Sequence, residues 1–268
     1  FDSHHPLQSY PMFSTPSGAS EPEFDAPFVF TADGHKSLYF TLDQLQSRMS
    51  SEHPTQLEVD YTRTMMGFLL LDSQPASIAM IGLGGGSLLK FCHRHLPAAQ
   101  FTAIEVNPHV IALRQEFEIP EDDERLRIIC ADGADFVRAL PEESAGRYDV
   151  LLVDGYDGLG QSASLCSQRF YDDCYRALTP GGILVVNLHH DHPEHGVYTG
   201  RIRLAFDSHL LEVPSKEKSN SILFARKNQR LCIDELRQSR PLENFAPEVR
   251  AQLQQEFSRI GWDIRQAG

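Results

Sequence analysis

The residues with chemistry on their face begin with a glycine run, Gly82-Leu83-Gly84-Gly85-Gly86-Ser87, with Glu105 standing 19 residues beyond its last glycine. Glycine lacks a Cβ, so a loop built from it turns sharply and lets a ligand lie against the main chain. A carboxylate about 20 residues further on is spaced to accept hydrogen bonds from ribose hydroxyls. Asp132, one strand later, is placed to meet a base, so Gly82, Gly84, Gly86, Glu105 and Asp132 describe a nucleoside-binding crevice. A second dense segment is His189-His190-Asp191-His192-Pro193-Glu194-His195, whose imidazoles and carboxylates are of the kind that ligate zinc or nickel. Pro193 and the lack of a helical i,i+4 context argue against a preformed site. The reading is therefore an exposed loop near the cleft, with no metal and with His189 in reach of substrate. The five cysteines (Cys92, Cys130, Cys166, Cys174, Cys232) are odd in number and hold no CxxC pair, which implies reduced, mostly buried thiols. Cys166 and Cys174 have no partner base in the sequence, so nucleophilic catalysis by thiol is not expected.

These groups need a scaffold that brings them together. From Ser77 onward short apolar runs alternate with amphipathic segments, the pattern of a parallel sheet with crossover helices. The candidate strands are Ser77–Ile81, Phe101–Glu105, Arg127–Cys130, Asp149–Asp154 and Ile183–Asn187, with runs at Arg203–Val213 and Ser221–Ala225 predicted as an antiparallel pair at one sheet edge. Asn107 is set to cap a helix with Pro108 at its first position, and Gly181-Gly182 follow a helix predicted to end near Leu178. Ahead of this sheet, Phe28-Val29-Phe30 and Leu38-Tyr39-Phe40 flank Asp33-Gly34, a dipeptide suited to a tight hairpin turn. Tyr61–Leu71 reads as a helix leading into the first strand of the sheet. The organisation expected is a loosely held tail at 1–24, a small antiparallel β domain at 25–66, a Rossmann-like domain at 67–227 and a helical tail at 228–268.

Composition narrows the class of function. The 268 residues carry 24 Lys+Arg against 37 Asp+Glu, a formal net charge of −13. Binding to a phosphate backbone depends on clustered Lys and Arg, so a nucleic-acid partner is not expected and a small cationic ligand suits the field better. Apolar stretches such as Met65–Leu71 are far short of the roughly 20 residues that cross a bilayer, and no membrane partner is expected. The expectation is a soluble, cytoplasmic protein.

The glycine spacing G-x-G-x-G, with Ser87 where dinucleotide binders place a third glycine, resembles motif I of the S-adenosylmethionine-dependent transferases. With Gln46-Ser47-Arg48-Met49 and Tyr61-Thr62-Arg63-Thr64-Met65-Met66, it makes the region from about Leu38 to Lys227 resemble the polyamine aminopropyltransferases, the spermidine and spermine synthase family, and in particular its bacterial spermidine synthase-like branch. That resemblance implies an α/β methyltransferase-like Rossmann fold, a mostly parallel seven-stranded sheet, preceded by a small N-terminal antiparallel β domain. It implies that Gln46 contacts the nucleoside donor, that Glu105 holds its ribose and that Asp132-Gly133 meets its adenine. Asp154 in Asp154-Gly155-Tyr156-Asp157 would be the acid beside the reacting amine, with Asp157 at the acceptor's cationic end, Tyr61 lining the acceptor channel and Asn187 where many members carry glutamine. The donor would be S-adenosylmethionine or its decarboxylated form, the acceptor a small amine, and the assembly a dimer or tetramer, with a homodimer the expectation.

Two positions depart from the family pattern. Gly85 stands where the family has an aspartate that helps hold the donor's amine, and Tyr61 is followed by Thr62-Arg63 instead of a polar and acidic pair. Arg63 would be placed to meet a carboxylate, such as that of intact S-adenosylmethionine. The chemistry is common to both donors: displacement at a carbon bonded to a sulfonium, in which a neutral thioether leaves without acid help. The difficulty is the nucleophile, because an alkyl amine with a pKa near about 10.4 is protonated at neutrality. A carboxylate at Asp154 answers that need. The same Asp154 and Asp157 also suit a polar turn at a strand end, and Tyr156 suits either the acceptor pocket or a cover over the cleft. A methyltransferase on the same scaffold and a catalytically silent nucleoside-binding protein are the alternatives to an aminopropyltransferase.

Overall fold

The computed structural model describes residues 24–42, 44–141, 146–157, 160–216, 220–231, 242–243 and 245–267. The N-terminal unit is a three-stranded antiparallel sheet, β1 Phe28–Ala32, β2 His35–Thr41 and β3 Gln44–Ser50, in that order. Asp33 and Gly34 have φ of 50° and 72°, the left-handed pair that a two-residue hairpin turn requires. Phe28 faces Tyr39 across the pair, their rings stacked at 5.5 Å. The third strand has no counterpart in the sequence reading, because Gln-Leu-Gln-Ser-Arg-Met-Ser offers little apolar alternation and its register on β2 is interrupted by bulges.

The main sheet has seven strands. They are β4 Ser77–Ile81, β5 Gln100–Glu105, β6 Leu126–Cys130, β7 Tyr148–Val153, β10 Leu178–His189, β11 Leu210–Pro214 and β12 Asn220–Arg226, in the order β11-β12-β10-β7-β4-β5-β6. Neighbours from β10 to β6 run parallel, and β12 and β11 are antiparallel. A short pair, β8 Tyr156–Asp157 and β9 Gly160–Gln161, lies between β7 and the following helix. The expected edge pair is present, but the stretch Arg203–Val213 is not one strand. Its first residues end a helix at Ala205, and Asp207 and Ser208, both at positive φ, break the chain before β11.

Alternation along the strands builds two cores. Ile78, Met80, Val150, Leu152, Ile183 and Val185 face one side, and Ala79, Ile81, Leu151, Val153, Leu184 and Val186 face the other. Helix α2 (Ser87–His95) buries Leu88, Leu89 and Phe91 on the first side. Helices α4 (Gly133–Arg138) and α5 (Gln168–Ala177) cover the second, while α3 (Pro108–Ala112) starts on its Asn107-Pro108 cap as expected. Helix α6 (His195–Ala205) follows β10. Helix α1 (Asp60–Met65) continues as a 3-10 turn, Met66–Leu70, and packs with the C-terminal helix α7 (Pro247–Ala267) on the first side. Leu253, Phe257 and Ile260 are α7's buried face, and Glu256 beside them accepts a hydrogen bond from Thr64 of α1 at 2.6 Å. Pro241 and Cys232 lie outside the described residues. Cys92, Cys166 and Cys174 are buried free thiols, and Cys130 is an exposed one. No helix among the described residues is long and apolar enough to cross a membrane.

Candidate active site

In chain order β4, β5 and β6 progress to one side and β7 returns to the other side of β4, so the strand order reverses at β4. A crevice forms at the carboxyl ends of the strands at such a reversal. Here the glycine loop fills its floor. At Gly82 the chain turns with φ of 92°, and a Cβ there would stand 2.1 Å from the carbonyl oxygen of Asp154. The ends of β4 and β7 approach so closely that only glycine fits, and the Gly82 N–H donates to Ile104 O at 2.8 Å while the Asp154 N–H donates to Ile81 O at 2.9 Å. The loop is thereby tied to both neighbouring strands.

Glu105 ends β5 and is 8% exposed. Its Oε2 accepts from the Leu83 N–H at 2.8 Å and its Oε1 from the Asn107 N–H at 2.9 Å, so the carboxylate fixes the glycine loop's shape as well as standing at the crevice. Burial pushes its pKa up, and the backbone donors pull against that shift. On the adjacent strand Cys130 pairs with Glu105 in register. Asp132, two residues further, caps α4 through the Asp135 N–H at 2.9 Å, and its second oxygen accepts from Ser164 Oγ at 3.3 Å. Gly133 follows because a Cβ would meet Ile81 Cγ2 at 2.3 Å. Gln46 is half-buried on β3, but the contact of that strand with the glycine loop is made by its neighbour Ser47, whose Oγ is 3.3 Å from Ser87 Oγ. A Cβ at Gly85 would lie 2.6 Å from that same Ser47 Oγ.

The other half of the crevice is built around Asp154, just past β7. Tyr61 of α1 donates its hydroxyl to Oδ2 at 3.0 Å, and Asn187 of β10 donates its side-chain amide to Oδ1 at 2.8 Å. Asp154 is half-buried, and burial raises its pKa against the pull of these two donors. The same burial, with Asp154 close by, pushes the Tyr61 and Tyr156 phenols well up. Tyr156 donates to Asn187 O at 3.0 Å and its ring lies against His189, centroids 4.7 Å apart. Asp154, Tyr61, Tyr156 and Asn187 therefore converge as one cluster. The side chain of Asp157 lies outside what the structure describes.

Arg63 is not aimed at a ligand carboxylate. Its Nη1 donates to Leu57 O at 2.7 Å and to Glu58 O at 3.2 Å, closing the chain ahead of α1. Two participants escape the sequence reading. Asn220 of β12 donates to Asn187 Oδ1 at 2.9 Å, and Ser47 occupies the space beside Gly85. Asn220 sits in no motif and reaches the site through the pairing of β12 with β10, while Ser47 lies inside the Gln46–Met49 run, where its neighbour Gln46 drew the expected role.

A family model described as spermine/spermidine synthase domain matches residues 58–199. The polyamine aminopropyltransferase of Chromobacterium violaceum is 35% identical over 226 residues, which is 84% of this chain and 84% of that protein. Among solved structures, a probable spermidine synthase from Corynebacterium glutamicum superposes with a TM-score of 0.64 at 18% identity, covering 80% of this chain and 81% of that one. Human methyltransferase-like protein 13 in complex with SAH superposes with a TM-score of 0.59 at 23% identity, covering 74% and 92%. Both structures share the methyltransferase-like α/β fold with this chain.

Proposed function

Since the chain belongs to the spermine/spermidine synthase family, we propose that it is a spermidine synthase-like aminopropyltransferase in which Asp154 prepares an amine acceptor for attack on decarboxylated S-adenosylmethionine. The observation that carries this reading is the half-buried carboxylate of Asp154, held by Tyr61 and Asn187 beside the glycine loop. An amine approaching it arrives as an ammonium. Asp154 takes one proton, which passes on to solvent, and leaves a lone pair on nitrogen. Nitrogen then bonds to the propyl carbon as that carbon's bond to sulfur breaks, and sulfur departs with the electron pair as a neutral thioether. The raised pKa of Asp154 makes it a stronger base than an exposed aspartate, and its two donors fix its orientation.

In this scheme Gly82, Gly84, Gly86, Gln46, Glu105, Asp132 and Gly133 hold the adenosine end of the donor. Tyr61, Tyr156, Asn187 and Asp157 surround the acceptor. No metal enters the transfer. The negative charge of the chain favours a cationic acceptor. We also take the working form to be a cytoplasmic homodimer, a reading supported by the exposed Phe28 and Phe30 of β1 and by the unpaired thiols.

The test is incubation of the purified chain with each donor, decarboxylated or intact S-adenosylmethionine, against a panel of diamines and polyamines, with products read by mass spectrometry. An amine carrying one added aminopropyl unit is expected from the decarboxylated donor alone. Methylated products from the intact donor, or no product with any pair, would contradict the proposal.

A further inference from the structure

Beyond the crevice, the structure gathers a second constellation that its sequence separation conceals. His190 lies in the loop after β10, His195 opens α6 and Glu212 is in β11, and one nitrogen or oxygen from each lies within 4.8 Å of the others. His195 Nε2 is 2.8 Å from Glu212 Oε1, and the His190 and His195 rings stand edge to face with centroids 5.7 Å apart. We infer that His190, His195 and Glu212 form a site for a divalent first-row transition cation of the zinc type.

The arrangement around His195 carries the inference. Its Nδ1 is 3.2 Å from the carbonyl oxygen of His189, which only accepts, so Nδ1 is the nitrogen that holds the proton. Nε2 then points its remaining position at a carboxylate oxygen, also an acceptor. An imidazole between two acceptors calls for positive charge between the ring and the carboxylate; a proton shared in the His195–Glu212 ion pair supplies it, and a metal ion bound by both, with His190 as third ligand, takes that proton's place. The bond from Nδ1–H to a backbone carbonyl is the outer contact that metal-bound histidines characteristically make, because it fixes the tautomer and the ring plane. Glu212 is oriented likewise, its Oε1 accepting from Ser221 Oγ at 2.5 Å.

The donor set selects the class of ion. Two imidazoles and one carboxylate suit zinc, nickel or copper, whereas magnesium and calcium seek oxygen ligands. Two of the ligands are seated on a helix and a strand, and the third, His190, is exposed on the loop. The remaining coordination positions are left to water.

No step of the proposed transfer uses these three residues, and the site is tested by binding alone. Calorimetric titration of the full chain with Zn2+ is expected to show one saturable equivalent, unaffected by an excess of Mg2+. Each of His190→Ala and Glu212→Gln is expected to weaken that equivalent at least tenfold, while His109→Ala, on α3, leaves it unchanged. Because His190 is exposed, its replacement leaves the fold intact, as circular dichroism will verify. Absence of a saturable equivalent, undiminished affinity in His190→Ala or in folded Glu212→Gln, or displacement of Zn2+ by Mg2+ would overturn the assignment.

Discussion

Asn220 donates its side-chain amide to Oδ1 of Asn187 at 2.9 Å, and that bond decides which end of Asn187 faces Asp154. With its oxygen engaged, Asn187 presents Nδ2 to the carboxylate at 2.8 Å. Asn220 thus positions the acid without approaching it.

Removing that constraint should show in turnover. Asn220→Leu keeps the branched outline but cannot donate, which releases Asn187 Oδ1 and loosens the amide that orients Asp154. Misplacement of a catalytic group by about 1 Å costs up to about 100-fold, so a fall in kcat of about 10- to 100-fold is expected with little change in donor KM. An unchanged kcat in the folded variant would show that the Asn187 orientation is held by other contacts.

The raised pKa of Asp154 has a consequence for stability. An acid whose pKa is higher in the folded than in the unfolded chain binds more protons when folded, so stability falls as pH rises from the unfolded value through the folded one. Asp154→Asn, which removes the titration, should therefore gain stability relative to the parent as pH rises through this range and keep the gain at neutrality. Denaturant unfolding at a series of pH values measures this. A gain that grows toward acid pH would have the wrong sign.

Lys90 titrates in the opposite sense. It is 2% exposed on α2, where its ammonium donates to Phe117 O at 2.7 Å and to Met49 Sδ at 2.8 Å, and burial lowers its pKa to about 8 from 10.5. The unfolded chain then binds the extra proton between those values, so the parent gains stability as pH rises from about 8 to 10.5. Lys90→Met lacks this gain. The stability difference should move in the parent's favour over that interval, by on the order of 3 kcal/mol at most, and a flat difference would contradict the burial of the charged form.

The C-terminal helix is needed for the site because it backs α1, which carries Tyr61. Leu253 is fully buried between them and the sheet. Leu253→Ala should cost about 2–5 kcal/mol of unfolding free energy. A loss under about 1 kcal/mol would mean that α7 is not part of the core.

Much of this is legible in the sequence, and the reason is physical. The strands around β4 are buried on both faces and so appear as unbroken apolar runs. Gly82, Glu105 and Asp154 sit at strand ends that any doubly wound sheet brings together. What could not be read depends on pairings between distant segments. Asn220 enters through the antiparallel register of β12 on β10, and Glu212 meets His195 because β11 closes the sheet edge. Arg63 looked like a ligand for an anion, yet it is held by carbonyl oxygens five and six residues behind it. β3 was hidden because its side chains alternate poorly, although its Ser47 borders the glycine loop.

The central claim is that Asp154 is the base for the amine, and the rate of transfer under single-turnover conditions tests it most directly. Positioned proton transfer contributes about 100- to 10,000-fold, so Asp154→Asn, with donor binding retained, should slow formation of the aminopropylated amine by at least about 100-fold. A rate within a few-fold of the parent would contradict the claim.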